Sequence, residues 1–194
     1  MKKDIILAGV GGQGILSIAT VIGSAALGQG LYLKQAEVHG MSQRGGDVQS
    51  NLRLSSDPIS SDLIPSGAAD LIVSLEPMEA LRYLPYLAKD GWIITNTTPF
   101  VNIPDYPDMT RVMAEFDKLP RVIALDVDAV AKEVMSPRSA NMVLLGAAAS
   151  VMGILDPAHL REGIRRIFAR KGEAIVEANL KAFDAGLQLS KQGK

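Results

Sequence analysis

The chain has 194 residues, 47% of them hydrophobic and 21% charged, with a formal net charge of −1 and no cysteine. A near-neutral surface without a basic run attracts neither a nucleic-acid backbone nor an anionic membrane. A chain without thiols makes no disulfide, no thiolate nucleophile and no cysteine-ligated iron–sulfur cluster.

The apolar run 5–8, closed by Gly9, is too short for a signal-peptide core and predicts a buried first strand. From Ile15 the stripe Ile15, Ile18, Ile22, Ala25 and Ala26 has helical spacing, and Gly30 stands where a helix C-terminus ends. Residues 31–38 read as a second strand. Strand, glycine turn, helix and strand together predict the opening of a parallel βαβ unit. Over 48–54 the side chains Val48, Ser50, Leu52 and Leu54 alternate with Gln49, Asn51 and Arg53, as in a half-buried strand.

Residues 71–75 predict another buried strand, ended by Glu76-Pro77, where a helix carrying Leu81 and Leu84 can start. Residues 92–95, after a turn at Lys89-Asp90-Gly91, and residues 122–125, after Pro120, read as interior strands. Pro99, Pro104 and Pro107 make 98–110 a long loop or flap. The run 141–151 is apolar on nearly every face, which predicts a buried helix with Met142 as core filler. Asp156-Pro157 caps a helix with the stripe Leu160, Ile164, Ile167 and Phe168, and Val176, Leu180, Phe183 and Leu187 mark a closing helix. No apolar run approaches the roughly 20 residues of a membrane span. The expectation is one cytoplasmic domain over 1–194, a three-layer α/β/α Rossmann-like fold with a mostly parallel sheet and a helical C-terminal end.

Two glycine-rich runs stand out. Gly9-Val10-Gly11-Gly12-Gln13-Gly14 satisfies G-x-G-x-x-G between a strand and a helix, where glycines permit a tight turn and helix N–H groups face an anion. A dinucleotide site would also want an acidic residue about 20 positions on. Glu37 lies 23 residues after Gly14, without a clear strand end around it, so a nicotinamide dinucleotide, another phosphate ligand and a purely structural turn all stay open. The second run, His39-Gly40-Met41-Ser42-Gln43-Arg44-Gly45-Gly46, follows the second strand, where α/β proteins place ligands. Arg44 can offer a planar guanidinium to a phosphate or carboxylate, or be a structural arginine in a tight loop. His39 reads as structural, and with His159 on a distant helix it builds no catalytic triad. Arg161, Arg165, Arg166, Arg170 and Lys171 read as a solvated face favoured by the helix C-terminus.

Taken together and in this order, the two runs resemble the gamma-type domain of the pyruvate/2-oxoacid:ferredoxin oxidoreductases. The stretch EVHGMSQRGGDVQSNLRLS over 37–55 resembles the small beta subunit of the indolepyruvate ferredoxin oxidoreductases. The likeness continues through Ala69-Asp70-Leu71-Ile72-Val73, Ala124-Leu125-Asp126 and Asn141-Met142-Val143-Leu144-Leu145-Gly146, and closes with Glu177-Ala178-Asn179-Leu180-Lys181-Ala182-Phe183. It implies a non-catalytic small subunit that binds no cofactor alone. Thiamine diphosphate, magnesium and iron–sulfur clusters would belong to a large alpha subunit, which oxidises an aryl 2-oxoacid to its acyl-CoA and passes electrons to ferredoxin. The implied cradle for coenzyme A, shared with the partner, is Gly9, Gly11, Gly12, Gln13, Gly14, Gln43, Arg44, Gly45 and Gly46. The loop over 39–46 can equally be an interface element that packs against the large subunit and shapes its active-site channel, and a scaffold that binds no small molecule and a stand-alone NAD(P)-binding protein are the further alternatives. For the isolated chain a monomer and a homodimer both stay open.

Overall fold

The computed structural model describes residues 1–192 except 40–44, 102 and 135. Six strands form one sheet: β1 (Lys2–Val10), β2 (Tyr32–His39), β3 (Asp47–Ser55), β4 (Ala69–Ser74), β5 (Leu87–Asn96) and β6 (Val122–Leu125), in the spatial order β2-β3-β1-β4-β5-β6. β1, β4, β5 and β6 pair in parallel, whereas β3 runs antiparallel to both of its neighbours. The sheet is therefore mixed, with β3 alone reversed.

Among the described residues seven helices cover the two faces: α1 (Ile15–Gly28), α2 (Pro77–Arg82), α3 (Met109–Phe116), α4 (Val127–Glu133), α5 (Ala140–Met152), α6 (Pro157–Phe168) and α7 (Glu173–Gln192). Alternation along β1 sorts the core into two. Ile5 and Leu7 pack with α1 and α4 to α7, while Ile6 and Ala8 pack with α2 and α3. This is the three-layer α/β/α arrangement with a helical C-terminal end. α5 is buried on almost every face because α7 crosses it at Gly146 and Gly186, where an added Cβ would come within 1.9 Å of Phe183 O and Val143 O respectively.

Three local expectations need correction. β1, α1 and β2 do not close a neighbouring βαβ pair, because β2 turns back as a hairpin and β3 inserts between β2 and β1. β3 is consequently interior rather than half-buried: Asn51 is buried, and the Arg53 side chain is held under the chain that follows β3 by bonds to Ser61 O at 3.1 Å and Leu63 O at 3.0 Å. Lys89-Asp90-Gly91 is not a turn but lies inside β5, where Gly91 passes so close to Ala69 that a Cβ would stand 2.8 Å from its carbonyl oxygen.

Candidate functional site at the carboxyl end of the sheet

α1 follows β1 onto one face and α2 follows β4 onto the other, so the chain changes sides between β1 and β4. In open α/β sheets, ligands bind outside the carboxyl ends of the strands at such a switch point. The glycine turn occupies that position. Gly12 and Gly14 have φ of 105° and 86°, backbone that L side chains resist. Gly9 is also constrained, since a Cβ there would meet Gln13 Oε1 and Ile15 Cδ1 at 2.9 Å.

Gln13 ties the switch point together. Its Oε1 accepts from Val10 N at 2.7 Å, and its Nε2 donates to Leu75 O at 3.1 Å, bridging the ends of β1 and β4. The second glycine run meets the first directly: Gly11 N donates to Gly46 O at 2.8 Å and Gly45 N to Gly11 O at 3.5 Å. The antiparallel pairing of Val10 with Asp47 causes this meeting, which no local pattern discloses. Seven of the nine candidate residues, Gly9, Gly11, Gly12, Gln13, Gly14, Gly45 and Gly46, thus form one cluster. Gln43 and Arg44 lie outside the described residues.

A cleft of about 540 Å³ opens beside the turn. Gly12, Gln13, Gly14 and Ser17 form one wall, and Arg138, Asn141, Lys171 and Asn179 are among the residues opposite. The first N–H groups of α1 lack intrahelical partners, the capping residue Gly14 offers no side chain, and the first turn holds no acidic residue. Asn141 Nδ2 instead donates to Gly14 O at 3.2 Å, across 127 positions of sequence. Arg138 is exposed and makes no ion pair among the described residues, and Lys171 Nζ stands 5.3 Å over the Phe168 ring at the rim. The chemistry of these groups fits an anion: helix N–H groups and two cations, with no carboxylate among the residues that line this cleft. A smaller polar pocket of about 190 Å³ adjoins it, sharing Gln13, Arg138 and Asn141 and adding Asn96 and Asp128, which bond each other at 3.0 Å.

Arg138, Asn141, Ser17 and Lys171 were absent from the candidate set. Asn141 had a signal, a polar residue at the head of an apolar helix. Lys171 belongs to the stretch read as a solvated face, and the same stretch holds Arg161, which pairs with Asp184 at 2.7 Å and lies over the Phe183 ring. Glu37 cannot serve a dinucleotide at the turn, because β3 separates β2 from β1. It stands two strands, about 10 Å, from β1 and accepts from Gln35 Nε2.

On the other face of the same edge, Glu76 is buried at 1% exposure. Its Oε2 caps α2 through Glu79 N at 2.9 Å, and its Oε1 accepts from Phe100 N at 3.4 Å and from the Tyr106 hydroxyl. Burial, then the bond to Glu76, raises the Tyr106 phenol above its ordinary range. Burial, then the Glu79 carboxylate, pushes Tyr83 up to about 12. Among the described residues no group of three or more acidic or histidine side chains could hold a metal ion, and no helix is long and apolar enough to cross a membrane.

Fold and site place the molecule among the doubly covered α/β proteins with a glycine turn opening the first helix. The chain belongs to the pyruvate ferredoxin/flavodoxin oxidoreductase family, whose profile matches residues 4–189. It is 38% identical to the indolepyruvate oxidoreductase subunit IorB of Pyrococcus horikoshii and 37% identical to that of Thermococcus kodakarensis, in each case over 99% of this chain and 98% of the relative. The fold superimposes with a TM-score of 0.78 on a 2-oxoglutarate:ferredoxin oxidoreductase from Magnetococcus marinus solved with 2-oxoglutarate, coenzyme A and succinyl-CoA bound. Identity there is 25%, covering 98% of this chain but 31% of that one. The fold also matches a keto/oxoacid ferredoxin oxidoreductase gamma subunit from Geobacter sulfurreducens, with a TM-score of 0.71 and 24% identity over 98% of this chain and 99% of that one.

Proposed function

We propose that the chain is the small subunit of an indolepyruvate-type 2-oxoacid:ferredoxin oxidoreductase and that its carboxyl-edge cleft holds phosphate groups of coenzyme A. The observation that carries the subunit reading is the full-length likeness to the indolepyruvate oxidoreductase small subunits at 35–38% identity. The cleft supports the ligand reading, because it sets the glycine turn and the α1 N-terminus beside Arg138 and Lys171.

The division of labour follows from residue chemistry. The chain has no cysteine, so its residues do not fit an iron–sulfur cluster, and it has no Gly-Asp-Gly run for a thiamine diphosphate site. Those groups, with magnesium, are assigned to a large alpha partner, and ferredoxin is the electron acceptor of the assembled enzyme. The work left to this chain is binding and orientation. The main chain of 12–14 and the N–H groups of the first turn of α1 approach the phosphates, Arg138 neutralises them, and Gln13 holds the ends of β1 and β4 in register beneath them.

Co-expression with the large subunit, followed by an assay of indolepyruvate- and coenzyme A-dependent viologen reduction, tests the reading. Activity that requires both chains, with an apparent affinity for coenzyme A weakened by Arg138→Ala, is the expected result. A large chain fully active alone overturns the subunit assignment. Activity that needs both chains but tolerates substitution across the cleft leaves the scaffold reading in its place.

A further inference from the structure

The loop 97–108 between β5 and α3 departs from the carboxyl edge and is pinned to it by one buried side chain. Glu76 Oε1 accepts both Phe100 N and the Tyr106 hydroxyl, while Asn96 grips the loop's start through Thr98 N at 3.2 Å and Thr98 O at 3.2 Å. Pro99, Pro104 and Pro107 stiffen it further by fixing φ. On either side of position 102, which lies outside the described residues, the strap turns apolar side chains outward: Phe100 is 43% exposed, Val101 67% and Ile103 50%. Other exposed large hydrophobics, such as Leu27 and Leu63, stand singly, and single ones need no explanation. Three within four positions, on a loop anchored through a buried carboxylate, form a preorganised patch that loses little conformational freedom on binding.

We infer that this strap is the surface through which the chain docks on its large subunit, inserting Phe100, Val101 and Ile103 into an apolar depression rimmed by basic side chains. The inference rests on the subunit reading above. The occupant follows from two observations. The Magnetococcus relative carries this domain as 31% of a longer polypeptide, so there the remainder is held by a covalent tether. The indolepyruvate oxidoreductase subunits matched over 98% of their length carry this domain without such a tether, and on the subunit reading the partner is held by surface alone. The charge of the strap gives the rim: residues 97–108 contain Asp105 and Asp108 and no cation. The strap also stands at the edge of the sheet that carries the cleft, so docking there brings the partner's reacting groups towards it.

The test uses the co-purified two-chain complex, its dissociation constant read by mass photometry on dilution. Val101→Glu with Ile103→Glu should weaken association at least tenfold, and Tyr106→Phe, which loosens the strap without changing its apolar tip, by a smaller factor. Leu27→Glu, an equally exposed site at the far end of α1, should change nothing. Because Val101, Ile103 and Leu27 are exposed, the unfolding midpoints of the glutamate variants should match the parent, whereas Tyr106→Phe, at a half-buried side chain bonded to Glu76, is read against its own midpoint. If the charged pair lowers it, Val101→Ser with Ile103→Ser gives the same reading with a smaller effect. Parental association should weaken as salt rises, as basic partners to Asp105 and Asp108 require. A strap variant that binds as tightly as the parent, or a Leu27→Glu variant that loosens equally, overturns the inference while leaving the subunit reading intact. Parental chains that do not associate at all remove the subunit reading, and the docking surface with it.

Discussion

The two ends of the sheet handle charge in opposite ways. At the amino end Asp4 is fully buried and Arg53 closes on it with two bonds, Nε to Oδ1 at 2.9 Å and Nη2 to Oδ2 at 3.1 Å. Lys2 adds a third contact at 2.8 Å, and the remaining arginine nitrogen is spent on two carbonyls. At the carboxyl end Arg138 stays exposed and unpaired among the described residues, next to helix N–H groups with no side-chain cap. A guanidinium whose three nitrogens are all engaged is structural, because four of its five N–H donors are already used. One with free donors beside a glycine turn can take a ligand.

The comparison breaks first at Arg53. Its replacement by Ala leaves the buried Asp4 carboxylate with only the half-exposed Lys2 as a cationic partner, and chemical denaturation should show a loss on the order of 3–5 kcal/mol. A loss below about 1 kcal/mol would mean that the amino-end pair is no more structural than a surface ion pair. Gly14→Ala comes next, at about 1–3 kcal/mol, since the new Cβ meets Asn141 Nδ2 at 2.6 Å in left-handed backbone. Gly12→Ala should cost less than Gly14→Ala, because nothing lies within 4 Å of its Cβ and only the strained φ is at issue. Parallel urea titrations rank the two.

Arg138→Ala should leave stability within about 0.5 kcal/mol yet raise the KM for coenzyme A of the assembled enzyme by roughly tenfold, about 1.4 kcal/mol. Loss of stability without change in KM would reverse the roles assigned to the two ends. The smallest effect is expected in alkali. Tyr83 and Tyr106 are neutral in the fold with raised pKa values, so folding gains their contribution fully below pH 10 and loses it as pH rises through the folded values, about 12 for Tyr83. The stability of Tyr106→Phe should therefore fall less steeply than the parent's above pH 10, and identical slopes would show that burial and the Glu76 contact do not hold the phenol neutral.

Much of the site was legible in the sequence because it is local. A strand end, four glycines and a helix start lie within a dozen residues, and positive φ at Gly12 and Gly14 is what those glycines are for. Glu76-Pro77 was read as a helix start, which is half of its role. Its second oxygen reaches Tyr106, 30 residues away, and no periodicity links them. Arg138 and Asn141 reach the turn only because α5 packs across the sheet's end, so composition near the glycines could not disclose them.

By itself, the sequence determined the strands, the glycine turn, the capped and striped helices, and through its motifs the family. These depend on backbone propensity and on burial patterns with periods of two and 3.6 residues, which are written into neighbouring positions. Tertiary structure alone decided that β3 stands between β1 and β2, that Gly11 meets Gly46, that Asp4 closes on Arg53, and that Arg138 and Lys171 face α1. Those outcomes depend on strand pairing and helix crossing. Their partners are chosen by how two surfaces fit across tens of residues, a choice that no local pattern encodes.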